Sequence, residues 1–324
     1  MNLRPVILCL SVLSVSPQAS VEAESPDALK LWYKQPAAEW TQALPIGNGR
    51  LGAMVYGGID RERLQLNEDT LWSGGPHCYD NPDAYQHLAT VRELLERGEY
   101  AEAEATAEKM LGIHKYQQAY MPLGDLFLDF PKGEGPSDYH RELDLRTAVN
   151  TVTYRIGDAR FTRQIFASHP DQAIVIHLEC DRPGRITFDL SMTSAHPFQS
   201  QRAPDDMLLM TGQVAPRTGQ GASGARRLIG PWEGAGTRFA AQVKVMADGR
   251  TVAAQGDKIS VRDANAVTLV YVAATSFVDY QDVGADPVKR VEDYFARVGE
   301  QSFKQFYRRH VDDHSNLFGR VALD

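Results

Sequence analysis

The chain has 324 residues, 43% hydrophobic and 23% charged, with 42 acidic against 34 basic side chains for a net charge of −8 at neutral pH. That length buries most of its unfolded surface without a disulfide or metal staple, and the near-average composition excludes collagen-like, coiled-coil and wholly disordered chains. An acidic surface with no basic run repels a phosphate backbone, so nucleic acid is not an expected partner.

Residues 1–23 read as a secretory signal. Arg4 supplies the positive region, Val6 to Leu13 a short apolar core, and Val21-Glu22-Ala23 a small-residue cleavage site. The apolar run is too short for a bilayer span, which takes about 20 residues, and no later segment is long and apolar enough. The expected location is therefore periplasmic or extracellular, in a bacterial host. Cys9 leaves with the signal, so Cys78 and Cys180 remain, either bridged or as two free thiols.

From Leu29 to about Gly75, short apolar runs (Leu31-Trp32-Tyr33, Leu51 to Tyr56, Leu64-Gln65-Leu66) are broken by Gly and Pro, the pattern of strands and tight turns. Between Pro82 and Leu111 the spacing becomes helical. Leu88, Val91, Leu94, Leu95, Tyr100, Ala103 and Ala107 predict a hairpin of helices over about 83–97 and 99–110, with Gly98 ending the first. Alternation of period two returns from Leu123 to Ser276. It predicts strands around Asp125–Phe130, Val149–Ile156, Arg160–Phe166, Ala173–Glu179, Arg185–Met192, Phe239–Met246, Lys258–Arg262 and Val267–Ala274. Gln213–Gly236 is rich in Gly, Ala, Arg and Pro and reads as a long surface loop. From Asp286 two helices follow, the second with a broad apolar stripe through Phe303, Phe306, Tyr307, His310, His314, Leu317 and Phe318 that needs a partner surface.

These elements predict a mainly β protein, an antiparallel sandwich over 24–280 with a helical hairpin inserted at about 83–111 and a helical tail over 286–324. Few motifs carry visible chemistry. Gly47-Asn48-Gly49-Arg50-Leu51-Gly52 matches a dinucleotide-binding glycine pattern, but a strand follows it where a helix N-terminus is required, so turn glycines are expected. His310 and His314 lie one helical turn apart without the glutamate of a zincin, and packing residues are expected; no metal or cofactor is. Asn67-Glu68-Asp69-Thr70-Leu71-Trp72 is the densest functional segment. Asn67, Glu68, Asp69 and Trp72 are suited to contacting a sugar. The competing reading is a turn in which Asn67 and Asp69 bond local amides while Trp72 covers the sheet edge. Adjacent Glu68 and Asp69 on a strand would point to opposite faces, a poor arrangement for the paired carboxylates of glycoside hydrolysis.

Six blocks stand out: Ala43 to Met54 (ALPIGNGRLGAM), Leu64 to Gly74 (LQLNEDTLWSG), Tyr120 to Leu126, Tyr139 to Leu145, Ala274 to Phe277 and His310 to Phe318. Together they resemble the N-terminal domain of glycoside hydrolase family 95, the α-L-fucosidases. The resemblance runs from about Leu31 to Asp324. It implies a β-super-sandwich, then a helical linker, then an (α/α) barrel holding a glutamate acid and an aspartate base for inverting hydrolysis of α-1,2-linked L-fucose. The sequence stops in the linker and carries no counterpart of those two residues, so no catalytic residue is carried over. The resemblance further implies a fucosylated glycan as substrate of the full-length enzyme and the missing barrel as packing partner of the tail. Two readings stand: an inactive front part of such an enzyme, or a stand-alone exported carbohydrate-binding or scaffold module with Trp32, Trp40, Trp72 and Trp232 as candidate stacking platforms.

Overall fold

Strand faces follow the two-residue alternation. Over Arg61–Glu68 the buried positions are Glu62, Leu64, Leu66 and Glu68, and over Ile186–Thr193 they are Ile186, Phe188, Leu190 and Met192, as a sheet with one face on a core requires. The computed structural model describes residues 29–76, 80–112, 118–133, 135–204, 206–214, 218–220, 226–228, 236–249 and 252–322. The signal segment, Cys78 with its candidate bridge, and Trp232 lie outside the described residues. No described helix is long and apolar enough to cross a membrane.

In chain order the strands are β1 (Lys30–Tyr33), β2 (Leu44–Gly47), β3 (Leu51–Val55), β4 (Arg61–Glu68), β5 (Gly124–Asp129), β6 (Ser137–Asp144), β7 (Val149–Ile156), β8 (Ala159–Ser168), β9 (Ala173–Cys180), β10 (Ile186–Thr193), β11 (Phe198–Ala203), β12 (Met207–Gln213), β13 (Thr218–Gln220), β14 (Arg226–Leu228), β15 (Arg238–Gly249), β16 (Val252–Gln255) and β17 (Lys258–Thr275). The helices are α1 (Ala84–Glu96), α2 (Tyr100–Ala107), α3 (Pro287–Val298) and α4 (Phe303–Phe318). Apart from the β13–β14 ribbon, all the strands join one antiparallel sheet that curls around β17. The first part of β17 pairs with β10 and β16, continuing the layer β5-β4-β3-β2. Its last part pairs with β9 and β15, continuing into β8-β7-β6-β1 on one side and β12-β11 on the other.

The two predicted strands Lys258–Arg262 and Val267–Ala274 are thus one. Between them the register slips against both β10 and β15, and Asp263 takes a positive φ of 52°, a conformation Asp tolerates better than most residues. This bulge lets one strand serve both layers. The main core lies between the layers, with Leu64, Leu66, Leu126 and Leu190 on one side and Ile174, Ile176, Val243 and Leu269 on the other. Two further corrections concern strands. The expected loop Gln213–Gly236 contains the β13–β14 ribbon, and β2, β6, β11, β12 and β16 lie outside the strands that periodicity predicts.

The inserted hairpin forms as expected between β4 and β5. Gly98 turns the chain at φ 74°, Leu94 and Ala103 are buried, and the Asn81 amide donates to the Lys109 and Leu111 carbonyls at 2.8 and 3.0 Å. The C-terminal helices find their partner surface on the sandwich itself. Val291 and Val298 of α3 and Phe306 of α4 cover an outer sheet face made by Phe166, Val175, Val270 and Val272. At the end of the α4 stripe, Leu317 is 57% exposed and takes no part in this packing.

Candidate functional site

The glycine-rich segment is the β2–β3 hairpin turn. Gly49 sits at φ 90°, the Asn48 side-chain Oδ1 accepts from the Arg50 and Leu51 backbone amides at 3.1 and 2.8 Å, and its Nδ2 donates to the Ser168 carbonyl at 2.9 Å. The turn reading therefore holds. Its consequence is to aim Arg50. The guanidinium donates from Nε to Gln172 Oε1 at 2.9 Å, from Nη2 to the Gln172 carbonyl at 2.8 Å, and from Nη1 to the Ala273 carbonyl. Its flat face lies 4.1 Å over the ring of Tyr294 on α3.

Glu68 ends β4 beside this guanidinium, 3% exposed. Its Oε2 accepts from the Thr70 amide at 2.9 Å and the Thr70 hydroxyl at 2.7 Å. Thr70 Oγ1 in turn meets Thr275 Oγ1, which accepts from the Phe277 amide at 3.2 Å. Oε1 lies 3.8 Å from Arg50 Nη1, beyond direct hydrogen-bond range. Burial raises the carboxyl to about 7, outweighing the lowering by Thr70 and Arg50. At neutral pH a large share of Glu68 is therefore protonated and can donate as well as accept.

The strand ends at Glu68, and Asp69 belongs to the following turn, so strand alternation does not separate the two acids as expected. Both line a cleft of about 390 Å³ with Arg50, Thr70 and Thr275 on the sandwich side and Arg290, Asp293, Tyr294 and Arg297 on α3. The expected turn bonds are also reassigned: the local amide is taken by Glu68, while Asp69 is exposed. Asn67 and Trp72 do not line this cleft. The Trp72 indole N–H donates to the Asp69 carbonyl at 3.0 Å, and its ring sits 5.5 Å from that of Tyr120. The Tyr120 hydroxyl shares a hydrogen bond with Asn67, and burial raises its pKa. Trp72 and Tyr120 remain 42% and 45% exposed, an aromatic edge beside the acidic turn.

The histidine pair is packing. His310 stacks on Phe166 at 4.5 Å, and His314 bonds the Leu145 carbonyl through Nε2 at 2.9 Å. Among the described residues no group of three or more His, Cys, Asp or Glu side chains is placed to hold a metal ion.

Sequence reasoning missed Arg50, Tyr120, Arg290 and Tyr294. Arg50 was hidden inside a motif read for its glycines. The α3 residues are brought to the β4 turn by helix docking, which no local pattern announces. Arg290 is fixed there by donating from Nη1 to the Thr275 carbonyl at 2.9 Å and to that of Phe277.

Residues 31–280 match the glycosyl hydrolase family 65 N-terminal domain. The chain is 36% identical over 310 residues to α-L-fucosidase 2 of Arabidopsis thaliana, covering 91% of this chain and 36% of that protein. It is 26% identical over 315 residues to the protein named probable α-fucosidase A of Aspergillus niger, covering 91% of this chain and 38% of that one. The chain thus spans less than half the length of these relatives.

Proposed function

The chain belongs to the family of glycosyl hydrolase family 65 N-terminal domains, and from that membership we propose that it is the non-catalytic β domain of an exported α-L-fucosidase-like glycoside hydrolase. In the family 95 enzymes it resembles, the full-length protein hydrolyses α-1,2-linked L-fucose with inversion. The carrying observation is the match across the whole sandwich, together with the α-fucosidase names of its relatives.

The site chemistry supports a role without independent catalysis. Inverting hydrolysis needs an acid and a base on opposite sides of the bond, about 6.5–9.5 Å apart with water between them. Glu68 and Asp69 share one turn, and Glu68 commits Oε2 twice to Thr70. Asp293 on α3 is held by Lys289 at 3.2 Å. Asn67, Glu68, Asp69 and Trp72 serve on this reading as residues near a bound glycan.

The test is direct. The 324-residue chain, expressed in a bacterial host and recovered from the exported fraction, is expected to lack residues 1–23 by intact mass and to release no fucose from 2′-fucosyllactose above a buffer blank. Release at an enzyme-like rate overturns the non-catalytic assignment, and a retained leader in the cytoplasm overturns export. A second reading, a stand-alone carbohydrate-binding module, is favoured by the exposed and fixed Trp72–Tyr120 edge.

A further inference from the structure

We propose that the cleft between the β4 turn and α3 binds one unit of a neutral sugar, with a ligand hydroxyl inserted between Arg50 Nη1 and Glu68 Oε1. This rests on the glycan reading above but is independent of whether the chain hydrolyses anything.

The argument begins with the 3.8 Å gap. Two complementary groups held just too far apart for a direct bond are the setting in which a bridging oxygen is stable. Neither group can close the gap on its own. Arg50 is pinned through Nε and Nη2 by Gln172 and through Nη1 by Ala273, and Tyr294 covers its face. Glu68 is pinned through Oε2, which receives both the amide and the hydroxyl of Thr70.

The hydroxyl chain behind Glu68 has a defined direction. Phe277 N–H donates to Thr275 Oγ1, so the Thr275 proton is free to go to Thr70 Oγ1, and the Thr70 proton goes to Glu68 Oε2. Every donor in that chain is used, which leaves Oε1 as the carboxyl oxygen free to bond a ligand. One Nη1 hydrogen of Arg50 remains for the same oxygen, since an Arg terminal nitrogen carries two and Ala273 takes one.

Charge and free hydrogen-bonding groups together decide the class of ligand. The lining carries three guanidiniums (Arg50, Arg290, Arg297) against the carboxylates of Asp69 and Asp293 and a Glu68 that is protonated in large part at neutral pH. Two of those guanidiniums are already committed to backbone carbonyls, Arg50 to Ala273 and Gln172 and Arg290 to Thr275 and Phe277. Those two offer few free N–H groups, Arg297 lies 5.6 Å over the Tyr294 ring, and an anion would also face Asp69 and Asp293. A neutral ligand rich in hydroxyls matches a lining that alternates donors and acceptors. A cleft of about 390 Å³ falls in the range of small-molecule pockets, about 300–1,000 Å³, and has room for a monosaccharide unit.

The experiment titrates the isotope-labelled chain with methyl α-L-fucopyranoside, methyl β-D-galactopyranoside and inorganic phosphate, following backbone amide shifts. The expected result is a saturable response to at least one of the glycosides, at Arg50, Asp69, Thr70, Thr275 and Tyr294, and none to phosphate. Glu68→Gln, which keeps a donor and an acceptor, should retain binding within about twofold, whereas Glu68→Ala should weaken it at least tenfold. Should Glu68→Ala fail to fold, the exposed Asp69→Ala serves instead and should weaken binding several-fold. Absence of a saturable response to either glycoside, shifts confined to Trp72 and Tyr120, or tighter binding of phosphate would each overturn the proposal. A chain that releases fucose yet shows the expected shifts fails the functional reading while this one stands.

Discussion

Glu62 and Arg163 form an ion pair with side chains 0% and 1% exposed, at the opposite end of β4 from Glu68. Glu62 Oε1 accepts from the Gly57 and Arg63 amides at 2.8 and 3.0 Å. Arg163 Nη1 meets Oε2 and the Gly58 carbonyl, and its guanidinium lies 4.8 Å over Phe130. Gly57 is required where the chain folds over this pair. It adopts φ 72°, and a Cβ there would stand 2.6 Å from the Tyr139 hydroxyl, which itself donates to the Gly57 carbonyl at 2.7 Å. Removing one partner of such a pair strands the other charge in a low-dielectric interior, which costs more than the pair contributes. Glu62→Ala should therefore lower unfolding stability by about 3–5 kcal/mol, and Glu62→Gln by less because it keeps an acceptor for the two amides. Urea titration of both variants reads the difference; a Glu62→Ala midpoint equal to wild type would place Arg163 in contact with solvent. A second buried arginine, on β6, explains why that strand escaped the periodicity. Arg141, a core position of that strand at 2% exposure, scores as polar in any hydrophobic pattern.

The packing of α4 shows how an element acquires a pH response from the surface it covers. Its apolar stripe was plain in the sequence; its start is fixed by a capping box of Ser302 and Gln305. Which surface it covers was not, because the outer face of β8, β9 and β17 reads simply as strand. On that face the His177 ring lies 3.8 Å from the Phe303 ring and nearly parallel to it, with Nδ1 2.9 Å from Thr268 Oγ1 and Nε2 3.8 Å from Glu179. Burial lowers His177 to about 4 against the opposing hydrogen bond to the Val267 backbone. Burial likewise lowers His310, whose ring is opposed by the Thr147 and Ala148 backbone and Asp313 and reinforced by His314. A histidine kept neutral in the folded state contributes stability that is fully present above its unfolded pKa of about 6.5. That contribution is lost as pH falls toward about 4, where the folded form also protonates. His177→Gln, neutral at every pH, should therefore lose about 2–3 kcal/mol less than wild type between pH 7 and pH 4. Equal pH slopes for the two proteins in denaturant titrations would refute a buried neutral His177.

At the scale of the whole molecule, the fold turns on one strand. The sequence reading placed β strands over most of the right positions yet split β17 in two, because Arg262, Asp263, Asn265 and the small residues around them interrupt the alternation at the bulge. That bulge is what joins the layers, so the local break in pattern marks the main organising feature of the sandwich. β17 also receives the C-terminal helices. Val270, Val272 and Ala274 pack beneath α3 and α4, Arg290 bonds the strand's last carbonyl at Thr275, and Arg309 reaches Asp171 in the β8–β9 turn at 3.1 Å. Residues 286–322, read as a helical linker whose apolar face either lacks its packing partner or folds back on the sandwich, pack on the sandwich's outer surface, and the candidate cleft has one of its walls on α3. Deleting them would expose Phe166, Val175, Val270 and Val272 and forfeit the burial of Val291, Val298 and Phe306. Each large apolar side chain so lost is worth about 1.5–3 kcal/mol, a sum comparable with the whole stability of an ordinary domain. A chain ending at Ala285 is therefore expected to bind a fluorescent apolar probe such as ANS, to unfold at a much lower urea midpoint and to aggregate on concentration. Unchanged melting with no dye binding would show instead that the sandwich stands without the helices.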